Sequence, residues 1–207
     1  MLNSNQELRI KCDRFAPYYD RSEYLSEILG VRKLRKNLVR SASGRVLELG
    51  IGTGKNLPYY QDSCELVGID FSSEMLKISS ERAKSLHKKI RLYLMDSESL
   101  AFPDHSFDTV VDTLNLCTYN NSLNVLEEAK RVCKDDGRIL LLEHGMSKCS
   151  LLAKLQDLTS EKHAKTMGCH WNRDIYSILG QSGLEIENIE DCFLGIFVSV
   201  RAMPNYN

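Results

Sequence analysis

The chain has 207 residues, 43% of them apolar, with 27 lysines and arginines against 28 aspartates and glutamates. That composition supports one sizeable core, and a formal net charge of -1 leaves no basic footprint for a nucleic acid. No apolar run approaches the length of a membrane span, and the opening MLNSNQELRIKC lacks the apolar centre of a signal peptide, so the expectation is a soluble protein. Seven cysteines at irregular positions, odd in number and without a C-x-x-C, point to free thiols in a reducing compartment. The cytoplasm is the first expectation; a mitochondrial or membrane-associated place stays open if a leader has been removed.

Taken in chain order, the first strong pattern predicts a helix over residues 22–39. Its basic run, RKLRKNLVR, sets Leu34, Leu38 and Val39 inward and gives the charges a solvated outer face. A strand over 45–49 follows and runs into glycines at 50, 52 and 54 within VLELGIGTG. Glycines there let the backbone bend sharply and approach a ligand, and residues 55–60 predict a short helix whose N–H groups favour ligand oxygens. Glu48, two residues before the first glycine, is costly on an inner strand unless a cation or hydrogen-bond donors meet it. An acid in that place would face a pyrophosphate badly, and the sixth position from Gly50 is Lys55 where a dinucleotide fingerprint wants glycine. S-adenosylmethionine (SAM), with an ammonium and a sulfonium and no phosphate, suits the acid better.

The strand over 66–70 ends in Asp70, roughly 20 residues past the loop, where a carboxylate can accept from ribose hydroxyls. A helix over 73–87 leads to a third strand over 91–95 that stops at Asp96. The three acids, Glu48, Asp70 and Asp96, would meet an ammonium, a ribose and an adenine amino group respectively. Strands over 109–113 and 138–143, with a helix over 123–133 between them, continue the alternation. Helices over 151–165 and 173–182 and strands over 184–189 and 195–202 complete it. Alternating strands and helices imply a parallel sheet wrapped on both faces, with ligands outside the carboxyl ends of the strands. The connection 190–194 is too short for a parallel crossover, so the last two strands form an antiparallel edge hairpin.

On these motifs the chain resembles the class I SAM-dependent methyltransferases over most of its length. VLELGIGTG is similar to that family's first motif and GIDFSSEML to its second, with LAFPDHSFD and EEAKRVCKDDGRILLLEH matching later ones. DRFAPYYD and the D-x-S-x-x-M-L pattern from Asp70 to Leu76 resemble the ubiquinone/menaquinone C-methyltransferase branch. TLNLC, LLEHG and GCHWNRD are more similar to methyltransferase-like proteins with alkyl thiol methyltransferase activity. Some relatives in that second branch carry an N-terminal membrane anchor, which this sequence lacks.

The resemblance implies a Rossmann-like, doubly wound, mostly parallel seven-stranded α/β sheet under an N-terminal helical cap. Within one domain, residues 1–42 would form the cap, 43–145 the SAM-binding core, and 146–207 the substrate wall and edge strands. It implies a cofactor site of Glu48, Gly50, Gly52, Gly54, Asp70 and Asp96, extended by Tyr19, Asn56, Phe71, Met75, Ser97 and Leu114.

The expected partner is a small, largely apolar acceptor of thiol, phenol or quinol type, with no nucleic acid, membrane contact optional and oligomeric state open. A non-catalytic SAM-fold module that binds a protein is the alternative. Loops after the fourth and fifth strands should supply the chemistry. His144 is the candidate base, since an imidazole titrates near neutrality, and Asn115 either donates to the acceptor or closes a turn. Cys117 reads as packing. Cys169, His170 and His163 lack the paired spacing of a zinc site, so no metal is expected. Trp171 could stack on a flat acceptor, and Asn172 reads as the N-cap of the next helix.

Overall fold

A computed structural model describes residues 4–205. Seven strands form one sheet in the order β3-β2-β1-β4-β5-β7-β6. They are β1 (Arg45–Leu49), β2 (Glu65–Asp70), β3 (Ile90–Leu94), β4 (Phe107–Thr113), β5 (Cys133–His144), β6 (Glu185–Cys192) and β7 (Phe197–Met203). The first five pair in parallel, whereas β7 runs antiparallel to both β5 and β6. The chain leaves β1 for β2 and β3, then returns to place β4 on the other side of β1. The crevice at that reversal lies outside the carboxyl ends of β1 and β4.

Side chains alternate across a strand, so a strand covered on both faces is apolar throughout. In β5, Ile139 and Leu141 join one core and Leu140 and Leu142 the other; Leu47 and Val46 of β1 divide in the same way. The first core packs under α6 (Ser122–Val132) and α8 (Ile175–Gln181), the second under α4 (Arg32–Val39) and α5 (Ser73–Ser85). All four β5 side chains are at most 1% exposed, and each contributes about 1.5–3 kcal/mol by burial.

The helix expected over 22–39 is broken. Gly30 sits at φ 127, outside helical space, and only α4 continues as a regular helix beyond it. Before Gly30 the cap is built from α1 (Ser4–Phe15), two short helices, α2 (Tyr19–Ser22) and α3 (Tyr24–Ser26), and a wide turn. That break lets the cap fold over the strand ends. The predicted helix over 55–60 contracts to a single 3-10 turn, Leu57–Tyr59, because Tyr60 is extended. After α7 (Ser150–Met167), α8 starts later than expected. Asp174 caps it by accepting from Ser177 N at 3.0 Å, while Asn172 instead donates to Asp157 and accepts from Ser160. Arg173 is drawn away from a helical position to Tyr119 O and Ser122.

Candidate active site

The carboxyl ends of β1, β2, β4 and β5 floor a cavity of about 410 Å³, roofed by the N-terminal cap and by the segment between α7 and α8. Gly50, Gly52 and Gly54 all have positive φ, which only glycine adopts freely. Their surroundings differ. A Cβ at Gly50 would lie 2.6 Å from the Asn115 side chain, and one at Gly54 2.7 Å from Leu57. At Gly52 the nearest atom would be Gly50 O at 3.9 Å, so this position opens as a cradle on the cavity. Gly52 N donates to Asp70 Oδ2 and Ser72 N to Oδ1, each at 2.8 Å. Burial pushes Asp70 up to about 6, while those backbone donors pull it back. The cradle and the adjacent carboxylate fit a nucleoside that presents ribose hydroxyls.

Glu48 meets donors from inside the protein. Asn56 Nδ2 donates to one oxygen and Tyr60 Oη to the other, both at 2.8 Å. Asn56 Oδ1 in turn accepts from Arg35, whose guanidinium also pairs with Glu27 at 3.0 Å, and Lys55 reaches Glu27 at 3.2 Å. No adjacent ligand cation is therefore required for Glu48 to be buried. Burial still dominates and holds its pKa up at about 7, against the Tyr60 and Asn56 hydrogen bonds.

Arg35 corrects the view of the basic run as a solvated face: it is 3% exposed. The signal was present in the sequence, since Val31, Leu34, Arg35, Leu38, Val39 and Ala42 follow the i, i+3, i+4, i+7 spacing of one helix face. Other residues that the sequence reading did not single out tie the cap to the glycine loop and α5. Asp20 accepts from Thr53 Oγ1 at 2.7 Å and pairs with Arg82; Asp13 accepts from Ser72 Oγ at 2.6 Å.

Across the cavity, Leu114 takes a left-handed conformation at φ 62 as β4 ends, a strained geometry for a non-glycine residue. Asn115 Nδ2 lies within hydrogen-bond distance of Leu49 O, Gly50 O and Asp112 Oδ1. Of its two expected roles, closing the turn is the one these bonds fill. Glu143 is fully buried and accepts from Leu116 N at 3.1 Å; burial, then the nearby Asp112 charge, lifts its pKa far above the carboxylate range.

His144 reaches the cavity wall with Nε2 3.1 Å from Cys169 Sγ, and the Cys117 sulfur completes a compact cluster with them. The hydrogen bond from Cys117 is the largest cause holding the Cys169 thiol down at about 4, with His144 adding to it against burial. Burial opposes protonation of His144, but the bond and charge of Cys169 outweigh it and raise its pKa. Cys169 thus meets the end of β5 and the loop after β4. His163 Nδ1 instead donates to Cys169 O, and its ring stacks on Trp171, rings 5.1 Å apart and 10° from parallel.

Tyr19, Glu48, Gly50, Gly52, Asn56 and Asp70 all line this cavity, as do Phe71, Met75, Leu114, Asn115 and His144. Gly54, Asp96 and Ser97 do not. Gly54 packs on Leu57; Asp96 is exposed past the sheet edge, accepting from Glu98 N at 2.9 Å; and Ser97 is buried behind the wall against Tyr119.

The profile of the methyltransferase domain family matches residues 47–141, which spans β1 to β5. The chain is 28% identical over 197 residues to the mitochondrial methyltransferase OMS1 of Saccharomyces cerevisiae, covering 86% of this chain but 42% of that protein. To a phosphatidylethanolamine N-methyltransferase of Cereibacter sphaeroides it is 33% identical over 150 residues, 72% of this chain and 73% of the relative. A solved structure of a SAM-dependent methyltransferase from Thermotoga maritima, described as a possible histamine N-methyltransferase, superposes with a TM-score of 0.70 at 19% identity. It covers 96% of this chain and 100% of that one, and so shares the fold. With the glycine cradle, the mixed seven-stranded sheet and these relatives in agreement, the chain belongs to the class I SAM-dependent methyltransferases.

Proposed function

We propose that the protein methylates a small, largely apolar acceptor of thiol, phenol or quinol type, and that Glu48, Gly50, Gly52 and Asp70 hold the cofactor while His144 faces the acceptor. The observation that carries this reading is a single cavity with two unlike walls. One wall is the hydrogen-bonded cradle around Gly52 and Asp70. The other is formed by Leu25, Leu29, Phe193, Ile196, Phe197 and Trp171 and offers mainly hydrocarbon. Leu25, Leu29 and Phe193 are also 66%, 41% and 45% exposed, which gives the cavity an apolar rim suited to an acceptor that partitions out of water.

When bound, SAM supplies an electrophilic methyl group with a good leaving group already in place. The chain's own task is alignment and exclusion of water. Tyr19 packs edge-on against Phe15, with Lys55 Nζ 5.8 Å over the Tyr19 ring, closing the cap over the cofactor wall. Asp70 orients the nucleoside. Proton removal from the acceptor falls to His144, whose imidazole stands at the acceptor wall and not at the cradle. Titration calorimetry with SAM and S-adenosylhomocysteine tests the cofactor wall, and labelled SAM with a panel of thiols, phenols and quinols tests the acceptor. Tight cofactor binding with label transferred only to polar acceptors would overturn the apolar assignment.

A further inference from the structure

We infer that Cys117, His144 and Cys169 form a binding site for one thiophilic divalent cation, Zn(II) first, with a fourth coordination position open to the cavity. The inference rests on the methyltransferase reading for the use of that open position, but not for the binding of the ion. The three ligand atoms all lie within 4.8 Å of one another, and His144 Nε2 and Cys169 Sγ are 3.1 Å apart. Zinc bonds of about 2.3 Å to sulfur and 2.0–2.1 Å to nitrogen, at tetrahedral angles, ask for ligand separations of roughly 3.5–3.8 Å. The 3.1 Å contact and the 4.8 Å bound lie on either side of those values.

The backbone around the cluster is tied so that its members stay together. His170 N donates to Cys117 O at 3.0 Å, which locks the loop carrying Cys169 onto the loop after β4. His163 Nδ1 lies 2.9 Å from Cys169 O and braces the same loop from α7. His144 is fixed by β5, which pairs His144 with Phe197 of β7. A protein that wanted only packing here would need neither an imidazole nitrogen nor two sulfurs converging on one point.

Two cysteines and one histidine are three-quarters of a tetrahedral shell, and three protein ligands with one vacancy is the arrangement of catalytic zinc. All three residues line the cavity, so the vacancy opens towards the acceptor. Soft sulfur ligands select a thiophilic ion over magnesium or calcium, and the remaining position suits a sulfur donor. A thiol acceptor entering there gives its proton to solvent and stays as the thiolate. The acceptor class is thereby narrowed to thiols. With the ion bound, the Nε2 lone pair of His144 is committed to it, and His144 acts on the acceptor's proton through the ion instead of as a free base.

The test uses the full chain, reduced and freed of metal with a chelator, then titrated with Co(II). One equivalent should bind with thiolate-to-cobalt charge transfer and visible bands of tetrahedral intensity, and Zn(II) should displace it. Cys117→Ser and Cys169→Ser should each weaken binding by more than the roughly 10–100-fold that loss of a supporting group costs, and Cys64→Ser should leave the spectrum unchanged. Should a variant fail to fold, alkylation of the wild-type chain followed by mass spectrometry replaces it: Zn(II) should protect Cys117 and Cys169 and leave Cys64 reactive. Adding a simple alkanethiol to the Co(II) form should shift the charge-transfer band; an unchanged band would overturn the open position. Protein that binds SAM by calorimetry yet shows neither the cobalt spectrum nor zinc protection would sink the metal site and leave the methyltransferase reading standing. Metal binding without SAM binding would uphold the site and remove its proposed use.

Discussion

The two walls of the cavity are built on opposite plans. The cofactor wall comes from one stretch of chain between β1 and the start of α5, and its polar groups are matched within that stretch: Glu48 by Asn56 and Tyr60, Asp70 by Gly52 and Ser72. The acceptor wall gathers side chains from the cap, from the loops after β4 and β5, from the segment after α7 and from the β6–β7 turn, and is mostly hydrocarbon. A wall held by directional hydrogen bonds among near neighbours specifies one ligand. A wall of apolar side chains from distant segments can be reshaped one residue at a time without loss of the fold.

The sharpest way to break this contrast is to remove the charge that links the walls. Arg35→Met leaves Glu27 and Asn56 without their buried partner and should lower stability by about 3–5 kcal/mol, read from urea unfolding midpoints. A loss below about 1 kcal/mol would mean that the network is dispensable. Next in size, Asp70→Ala should weaken SAM and S-adenosylhomocysteine alike by about 1.5–3 kcal/mol in calorimetry, since a charge-assisted acceptor is lost. Normal affinity in that variant would displace the ribose from the cradle.

His144→Ala tests the other wall alone. Turnover on the true acceptor should fall at least about tenfold while SAM affinity stays within about threefold. Equal losses in both would erase the division between the walls. The smallest effect is electrostatic. Glu48 has its folded pKa raised to about 7, so the folded state holds a proton that the unfolded chain has already released. Its contribution to stability is present below the unfolded value near 4.5 and is lost as pH rises through about 7. Glu48→Gln should therefore flatten the stability–pH curve across that window, by less than about 1.4 kcal/mol per pH unit. A curve of unchanged slope would place the titrating proton elsewhere.

The same contrast governs what could be read from the sequence. The central strands announced themselves because both sheet faces are covered there, so that runs such as ILLL in β5 are apolar without interruption. The cradle was legible because the glycines, Glu48 and Asp70 lie within one short stretch. The cap was not, because Gly30 interrupts an otherwise good helical pattern and a positive φ leaves no periodic trace. Asp96 is hard to place from sequence, because an acid after a strand looks the same whether or not it lines the crevice; here it is exposed and accepts from Glu98 N. The meeting of Cys117, His144 and Cys169 was beyond reach, since each stands on a different segment of chain and only the tertiary fold brings their ligand atoms within 4.8 Å.

The straps between Asp13 and Ser72, and between Asp20, Thr53 and Arg82, have a consequence for the order of events in turnover. They join the cap, which supplies Leu25 and Leu29 to the acceptor wall, to the same residues that flank the cofactor cradle. A ligand that settles the cradle therefore also settles part of the acceptor's pocket, and the two binding steps become unequal. On the proposed reading, ordered addition with the nucleoside first is the expected kinetic pattern, checked by product inhibition with S-adenosylhomocysteine; random addition would show that the straps do not couple the two steps.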